Sequence, residues 1–489
     1  MPLRDMDREQ MWLLPPTLDD LLPLDHPARF VAEFVDALDR EGWSELGVEV
    51  EGDPMGAPAY HPRALLSVWL YGFMTGVRSC RKLEVACRDQ IPYLWLTGWQ
   101  HPDHNTLWRF YKGHRQAMRE LFKRTVRTAV AMKLVDLAVQ AVDGTKVGAN
   151  ASRYRTYDAE GLRRLLDRVE KAIADLEAQN EAGEDSAAVH LPEELTDKMA
   201  LRELVRNAMD ELARRKRQNR INLTDGDART MKAGQGVGPG YNAQAMVSPL
   251  TTDEGMNGML VTAVDVVDEA NDAALLTPMM EQAEEVTGVR GRMTLADGGY
   301  FAGRHLEECH RRGQRVAMPD RTKSLNNPYH KDRFVYDEKS DAYTCPHGQQ
   351  LPFVGLLRKR KKGRLYRVTS GSVCRECPAF GFCTKDARLG RTLHIGQHDE
   401  AIRRHRAWME TEEAKQFYWL RKLLVEPVFG IIKEQLGARR FQLRGLANVS
   451  AEWTMLATAF NLRTLWKAWR SRVRPSTQLL HGLEFLSAL

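Results

Sequence analysis

The sequence predicts an α/β protein built on a mixed β-sheet, and two similar strand ends are the main reason. The apolar stretches LAVQAV and RMTLA each read as a buried strand that ends in an aspartate followed by glycine, at Asp143 and Asp297. Between them, Met259–Val267 has the pattern of a strand and ALLTPMMEQAEEV that of a helix. Strands joined by helices, with carboxylates at the strand ends, are typical of an α/β core. We expect residues 136–300 to form the first part of this core.

The composition is that of an ordinary globular protein rather than of a membrane protein or a polycation. Charged residues make up 28% of the 489 residues and hydrophobic residues 43%, and the formal net charge is +6. The first ten residues carry charges of both signs, which is unlike a signal peptide. No window approaches the run of about 18 apolar residues that a membrane span needs. Four of the seven cysteines are crowded together, which favours a reducing compartment and metal ligation over disulfides.

The N-terminal part is predicted to be helical. We interpret residues 1–55 as a leader and residues 56–135 as a compact helical DNA-binding domain. Its last helix follows the capping residue Asp103 and carries Arg109, Lys112 and Arg115 at intervals of three, near one face. Short helices that end in a capped basic helix resemble a helix-turn-helix module. The alternative is a helical subdomain whose basic face is only solvated.

A charged helical hairpin, residues 158–220, is predicted to interrupt the core. Leucine and other apolar residues follow 4-3-4-3 spacing in two runs, from Leu162 to Leu176 and from Leu201 to Leu212. Heptad spacing of this kind is typical of coiled coils, and the short polar link favours antiparallel packing within one chain. A coiled-coil arm for dimerisation is the alternative.

Residues 301–415 form a second insertion, which contains a cysteine cluster. Cys345, Cys374, Cys377 and Cys383 supply four thiolates, enough for a tetrahedral structural zinc site, and His347 is a rival ligand. Buried free cysteines are the alternative. Two β-like runs flank a basic tip, so we expect a zinc-ribbon-like hairpin. The tip is predicted to bind DNA through Arg358, Lys359, Arg360, Lys361 and Lys362.

A third carboxylate, Glu426, lies in the stretch YWLRKLLVEPVFGIIK and belongs to the C-terminal part of the core, residues 416–470. Pro427 predicts that Glu426 lies at a kink or a helix start. Asp143, Asp297 and Glu426 are the ligand types that Mg²⁺ or Mn²⁺ prefers, and Lys146, Arg421 and Lys433 are cations suited to phosphate oxygens. Two such ions serve phosphodiester cleavage and strand transfer. Residues 471–489 are predicted to be a basic tail.

The motifs AVDGTKVGANAS, LADGGYF and YWLRKLLVEPVFGIIK resemble the signature blocks of bacterial insertion-sequence DDE transposases. The block from Tyr60 to Phe110 is similar to the helical domain of one branch, in which a cysteine-containing segment also precedes the glutamate. The resemblance implies an RNase H-like core with Asp143, Asp297 and Glu426 as the metal-binding catalytic triad. It also implies Tyr418, Arg421 and Lys433 as accessory residues around the glutamate.

The same resemblance implies the partners and the place of action. We expect double-stranded DNA as the ligand, both the terminal inverted repeats and the target, with a homodimer or larger assembly on DNA. A cytoplasmic, nucleoid-associated bacterial protein fits this role, and no membrane is expected. Two alternatives remain open: a catalytically inactive DNA-binding protein or repressor derived from a transposase, and a related nuclease without strand transfer.

Overall fold

The computed structural model describes residues 17–50, 59–181, 193–215, 219–233, 236–252, 255–321, 326–357 and 362–473. In the described part of the N-terminal region there are seven α-helices: α1 (Pro27–Asp36), α2 (Arg40–Glu45), α3 (Pro62–Thr75), α4 (Cys80–Asp89), α5 (Ile91–Thr97), α6 (His104–His114) and α7 (Arg119–Ala131). Proline occupies the first position of α1 and α3, where its missing N–H costs nothing. The Asp103 carboxylate accepts a hydrogen bond from the Thr106 N–H, so the predicted cap of α6 is formed.

The central sheet contains six strands: β1 (Val139–Gly148), β4 (Arg229–Ala233), β5 (Gly236–Thr252), β6 (Gly255–Val267), β7 (Met293–Leu295) and β8 (Arg315–Ala317). Strand β5 pairs with β1 on one side. On its other side, β4 pairs with its first part and β6 with the rest, and β5 is antiparallel to all three strands. On the other side of β1, β7 and β8 add in parallel. The described glycine-rich residues directly before Tyr241, residues 236–240, belong to β5. The helix α10 (Leu276–Thr287) lies between β6 and β7 in the chain, and α11 (Gly303–Arg311) connects the parallel strands β7 and β8.

Both predicted insertions have regular structure. The first contains two long helices, α8 (Ala159–Glu181) and α9 (Glu193–Arg214), flanked by the short paired strands β2 (Thr156–Tyr157) and β3 (Ile221–Asn222). Leu162, Val205 and Leu212 are buried between the two helices, which therefore pack on each other within the chain. The second contains an antiparallel sheet of β9 (Val335–Asp337), β10 (Ala342–Thr344), β11 (Gln350–Leu357), β12 (Gly363–Arg367) and β13 (Thr392–Gly396), with α12 (Gly371–Arg375) between its last two strands.

Three α-helices are the last in the described residues: α13 (Asp399–Met409), α14 (Glu412–Gly430) and α15 (Leu446–Val473). Glu426 lies inside α14 and not at a helix start, because Pro427 is accommodated within the helix. A π-helical turn, Ile431–Gln435, directly follows α14, and such turns are frequent at functional sites. Within the described residues, no helix is long and apolar enough to cross a membrane.

One continuous hydrophobic core joins the N-terminal helices to the central sheet, with α15 between them. The Asn461 side chain of α15 shows how closely these parts fit. Its Oδ1 accepts a hydrogen bond from the Val261 N–H, and its Nδ2 donates to the Val261 carbonyl, each at 2.9 Å. The same Nδ2 is 3.2 Å from Thr125 Oγ1 on α7. A single buried amide thus connects α15, β6 and α7.

A buried ion pair also connects the N-terminal helices to the C-terminal segment. Arg78, between α3 and α4, pairs with Glu452 of α15 at 2.5 Å, and the two side chains are only 4% and 3% exposed. Glu452 also accepts hydrogen bonds from the backbone N–H groups of Gln442 and Leu443, each at 3.0 Å. The charges are therefore satisfied by partners, as buried charges must be.

We predict that Arg78→Met will lower the free energy of unfolding by about 3–5 kcal/mol, because it leaves the Glu452 carboxylate buried without its cation. Urea unfolding measures the change. The matched control is Arg164→Met, which removes an ion pair to Glu160 whose side chains are 70% and 76% exposed. That control should change stability by less than about 1 kcal/mol. Equal effects of the two substitutions would contradict the conclusion that the Arg78–Glu452 ion pair stabilises the contact between the N-terminal helices and α15.

Candidate active site at the ends of two parallel strands

The two strand-end aspartates lie next to each other. Strands β1 and β7 are parallel, and Ala141 is the partner of Leu295 at the end of their pairing. Asp143 and Asp297 each follow two residues later, so they lie at the same level of adjacent strands, whose spacing is about 4.8 Å. Asp143 Oδ1 accepts from the Gly144 N–H at 2.9 Å, and Asp297 Oδ1 accepts from the Gly299 N–H at 2.6 Å. The structure thus brings the two predicted carboxylates together.

An arginine meets the second oxygen of each aspartate. Arg421 of α14 donates to Asp143 Oδ2 and Arg321 donates to Asp297 Oδ2, both at 2.8 Å. Burial raises the pKa of Asp143, with the neighbouring Asp297 charge adding to it, while Arg421 and the Gly144 N–H oppose that shift. Sequence reasoning missed Arg321. Its only signal is a position four residues after β8, the strand that neighbours β7.

The helix α14 brings the accessory residues to the same strand ends. Arg421 Nη2 is 3.9 Å from Glu426 Oε1, and the Glu426 side chain is 56% exposed. The guanidinium carbon of Arg421 lies 6.0 Å from the ring centroid of Tyr418. Lys433, in the π-helical turn, donates to Thr145 Oγ1 two residues beyond Asp143. Arg421 is therefore the centre of a group that joins Asp143, Glu426 and Tyr418.

Lys146 lies on the opposite face of β1 from Asp143, since side chains alternate along a strand. Its ammonium is 3.5 Å from Asp272 Oδ1 and has no hydrogen-bond partner among the described residues. The same Asp272 oxygen accepts from Asn242 Nδ2 at 2.6 Å and from Gln244 Nε2 at 2.9 Å. Sequence reasoning missed this network. Its signal was present in the stretch GYNAQ, where two amides alternate on one face of β5.

The donor set at the strand ends suits a hard divalent cation, because it consists of carboxylate oxygens. The oxygens of Asp143 and Asp297 that are not held by backbone N–H groups now meet guanidinium groups, so this edge already attracts positive charge. Within the described ranges, however, no three Asp, Glu, His or Cys side chains converge as a ready-made ion site. Glu426 is separated from the two aspartates by the intervening Arg421.

The four clustered cysteines line one small cavity beside the five-stranded antiparallel sheet, and His347 lines it as well. Two backbone groups already point at sulfur: the Gln349 N–H at Cys345 Sγ and the Arg391 N–H at Cys374 Sγ, each at 3.3 Å. Burial raises the pKa of the Cys383 thiol, and the other three cysteines add to the shift. All four cysteines are free thiols that line this cavity, but their side chains do not form a ready-made ion site among the described residues.

The predicted DNA-binding residues that the structure describes lie in two different parts of the chain, at α6 and next to β12. Arg109 and Lys112 of α6 are exposed, whereas Arg115, directly after the helix, is half-buried and donates from Nη1 to the Lys112 carbonyl at 3.4 Å. Strands β11 and β12 are antiparallel neighbours, as expected of a hairpin. Lys362 is exposed beside β12, while Arg358, Lys359, Arg360 and Lys361 lie outside the described residues.

We predict that Gly144→Ala will destabilise the protein by about 1–3 kcal/mol, the usual cost of overpacking. A Cβ at residue 144 would lie 2.2 Å from Gln244 Nε2 and 2.9 Å from Asp272 Oδ1. Thermal unfolding measures the effect. The control is Gly113→Ala on α6, where a Cβ meets nothing within 4 Å. That change should be neutral or stabilising by up to about 1 kcal/mol. A similar loss of stability in both variants would contradict the claim that a Cβ at residue 144 collides with its neighbours.

Two family models match this chain. The model described as Transposase domain (DUF772) matches residues 16–113, and the model described as Transposase DDE domain matches residues 344–466. Among curated proteins, none matches. The DDE-domain match contains Glu426 and the cysteine cluster, while Asp143 and Asp297 fall between the two matched segments. With transposase matches at both ends of a mixed α/β chain, the comparisons support a DNA transposase of an insertion sequence, of the DDE type.

Proposed function

We propose that this transposase cuts DNA at the ends of its element and joins them to target DNA at a metal site formed by Asp143, Asp297 and Glu426. The observation that carries the proposal is the pairing of β1 with β7, which sets two carboxylates side by side at one sheet edge. The helix α14 supports it, since it presents Glu426 next to Arg421, the residue that already binds Asp143.

Each residue has a role that follows from its contacts. Bound Mg²⁺ or Mn²⁺ would activate the attacking oxygen and stabilise the leaving oxygen. Asp143 and Asp297, fixed by backbone N–H groups, would hold the metal, and the exposed Glu426 would complete the ligand set. Arg421 positions Asp143 and neutralises its charge in the absence of metal. Arg321 does the same for Asp297. Lys433, held on Thr145, is suited to a phosphate oxygen of the bound strand.

The remaining parts of the proposal concern fold and partners. A mixed sheet, in which an antiparallel meander is extended by two parallel strands, supports an RNase H-like core. The exposed Arg109 and Lys112 of α6, together with the basic tip next to Lys362, are proposed to bind the terminal inverted repeats. Paired ends call for a dimer or larger assembly on DNA. The alternative function is an inactive DNA-binding protein derived from a transposase.

We predict that Asp143→Asn and Asp297→Asn will each reduce Mg²⁺-dependent cleavage of a labelled duplex carrying the element end to the level of a reaction without protein. DNA binding should be nearly unchanged, because only the metal ligand is altered. The matched control is Asp265→Asn on β6, a part-buried aspartate of the same sheet that caps the Val266 N–H away from the site. It should cleave normally.

The products separate the competing functions. Cleavage followed by joining, in the wild type alone, is expected of a transposase, and cleavage without joining would indicate a nuclease. Tight binding without cutting in either Mg²⁺ or Mn²⁺ would favour the inactive DNA-binding protein. Cleavage that survives both aspartate substitutions would show that the proposed metal ligands are wrong.

A second part of the proposal is a structural zinc ion held by Cys345, Cys374, Cys377 and Cys383. Their shared cavity and the two backbone N–H groups directed at sulfur support it, because such N–H groups stabilise a thiolate that ligates a metal. The ion would tie α12 to the antiparallel sheet of β9 to β13. His347 lines the same cavity and is the alternative fourth ligand.

We predict that the purified protein contains one zinc ion per chain, measured by elemental analysis, and that Cys377→Ser loses most of it. Cys80→Ser is the control, since Cys80 is also a part-buried free thiol but lies in the N-terminal helices. Zinc that is absent, or that persists in the Cys377→Ser protein, would exclude this site. Loss in His347→Ala with retention in Cys345→Ser would instead assign His347 as the ligand.

A further inference from the structure

A broad basic groove begins beside the candidate active site. It has a volume of about 960 Å³, and the end of β1, the loop after it, the start of β5 and the segment after the π-helical turn form its walls. Two lysines, Lys146 and Lys433, lie in it, together with five arginines: Arg153, Arg155, Arg439, Arg440 and Arg444. No carboxylate lines the groove in the described part of the chain.

Most of these cations have no anionic partner among the described residues. Lys146 approaches Asp272, and Arg439 pairs with Glu434. The other five cations form no ion pair there. Burial, and then the nearby Arg439 charge, lower the pKa of Lys433 below its ordinary value of 10.5. Cations that converge on one concavity repel each other, so an empty groove carries an electrostatic cost that a bound polyanion would relieve.

One end of the groove lies near the proposed catalytic edge, where Lys433 lines it. Lys433 is bonded to Thr145, two residues from Asp143 on the same strand, and Lys146 follows directly. The opposite wall is fixed to the same strand, because the Phe441 N–H donates to the Gly148 carbonyl at 2.8 Å and the Gly148 N–H donates to the Arg439 carbonyl at 3.2 Å. A strand of nucleic acid in the groove would therefore be led to Asp143.

We propose that this groove binds the sugar–phosphate backbone of the DNA next to the scissile phosphate. The inference rests on the proposed function for the nature of the ligand, and it adds a surface separate from α6 and the β11–β12 hairpin. A single small anion would leave most of the groove and most of its cations unused. Arginines spread along a groove suit successive phosphates, whose neutralisation releases counterions.

An exposed aromatic residue adds to this surface. The side chain of Tyr154 is 75% exposed, and the Arg153 guanidinium carbon lies 4.8 Å from its ring centroid. Cations alternating with an aromatic ring are the pattern that binds nucleic acid by backbone contact and base stacking. Tyr154 is therefore assigned to stack on a base that is unpaired near the cleavage point.

The test is the salt dependence of DNA binding by the full-length protein, measured by fluorescence anisotropy with a labelled duplex in EDTA, where cleavage chemistry is not needed. The variant is Arg155→Gln combined with Arg440→Gln. Both side chains are exposed and form no hydrogen bond or ion pair with the described residues. Affinity should fall, and the slope of log K against log salt should decrease by about 1.8, about 0.9 for each lost phosphate contact.

The matched control is Arg163→Gln combined with Arg168→Gln, two exposed arginines of α8 that form no ion pair with any residue in the described ranges. The control removes the same charge and should keep the wild-type slope. An unchanged slope in the groove variant, or an equal decrease in both variants, overturns the proposal. Because binding is measured without metal, this test is independent of catalysis. A wild-type protein that binds DNA through the groove but never cleaves it would contradict the proposed catalytic function and would still support the groove as a DNA-binding surface.

Tyr154→Ala tests the stacking residue by itself, with a duplex that ends in a single-stranded tail. The substitution changes no charge, so the salt slope should stay at the wild-type value while affinity for the tailed duplex falls. Tyr154→Phe keeps a ring and should bind like the wild type. Equal affinity of the alanine and phenylalanine variants removes Tyr154 from the interface.

Discussion

The partly buried carboxylate of Asp143 imposes a condition that the surrounding structure has to meet. A carboxylate withdrawn from water at the end of β1 needs a compensating cation, and α14 supplies Arg421. To do so, α14 must lie along the sheet with its apolar residues Leu424, Val425 and Val428 in the core. The same placement carries Glu426 and Lys433 to the strand ends. One ion pair thus explains why Glu426, far along the chain, lies near Asp143 of the first strand, with Arg421 between the two carboxylates.

The sequence predicted those parts of the site that follow from local pattern. A strand that ends in Asp-Gly is visible at Asp143 and Asp297, and a helix that presents Glu426 is visible from apolar spacing. Arg321, Asp272 and the basic groove were not predicted, because each depends on which loops the sheet brings together. The prediction of a helix start at Glu426 was wrong. A proline favours a helix boundary locally, but Pro427 lies within α14, where tertiary packing overrides that preference.

The two insertions leave the strand order of the central sheet unchanged, because each is inserted between elements of the core. The hairpin of α8 and α9 departs after β1 and returns before β4, and its ends are held together by the short pairing of β2 with β3. Its apolar side chains form clusters of their own. The antiparallel sheet of β9 to β13 likewise has a separate hydrophobic cluster around Tyr343, Leu351 and Tyr366. Each insertion is therefore stabilised mainly by itself, while the core keeps its strand order.

The buried pair of Arg78 and Glu452 has a consequence for how the chain reaches this state. Its two residues are 374 positions apart, so the N-terminal helices cannot complete their core until α15 has been synthesised. Contacts of such sequence separation slow folding, since a long loop must close before they form. Until then the apolar faces of α3 and α7 lack the helix against which they pack in the folded protein. This contact therefore favours a folding order in which α15 packs last, against both the N-terminal helices and the central sheet.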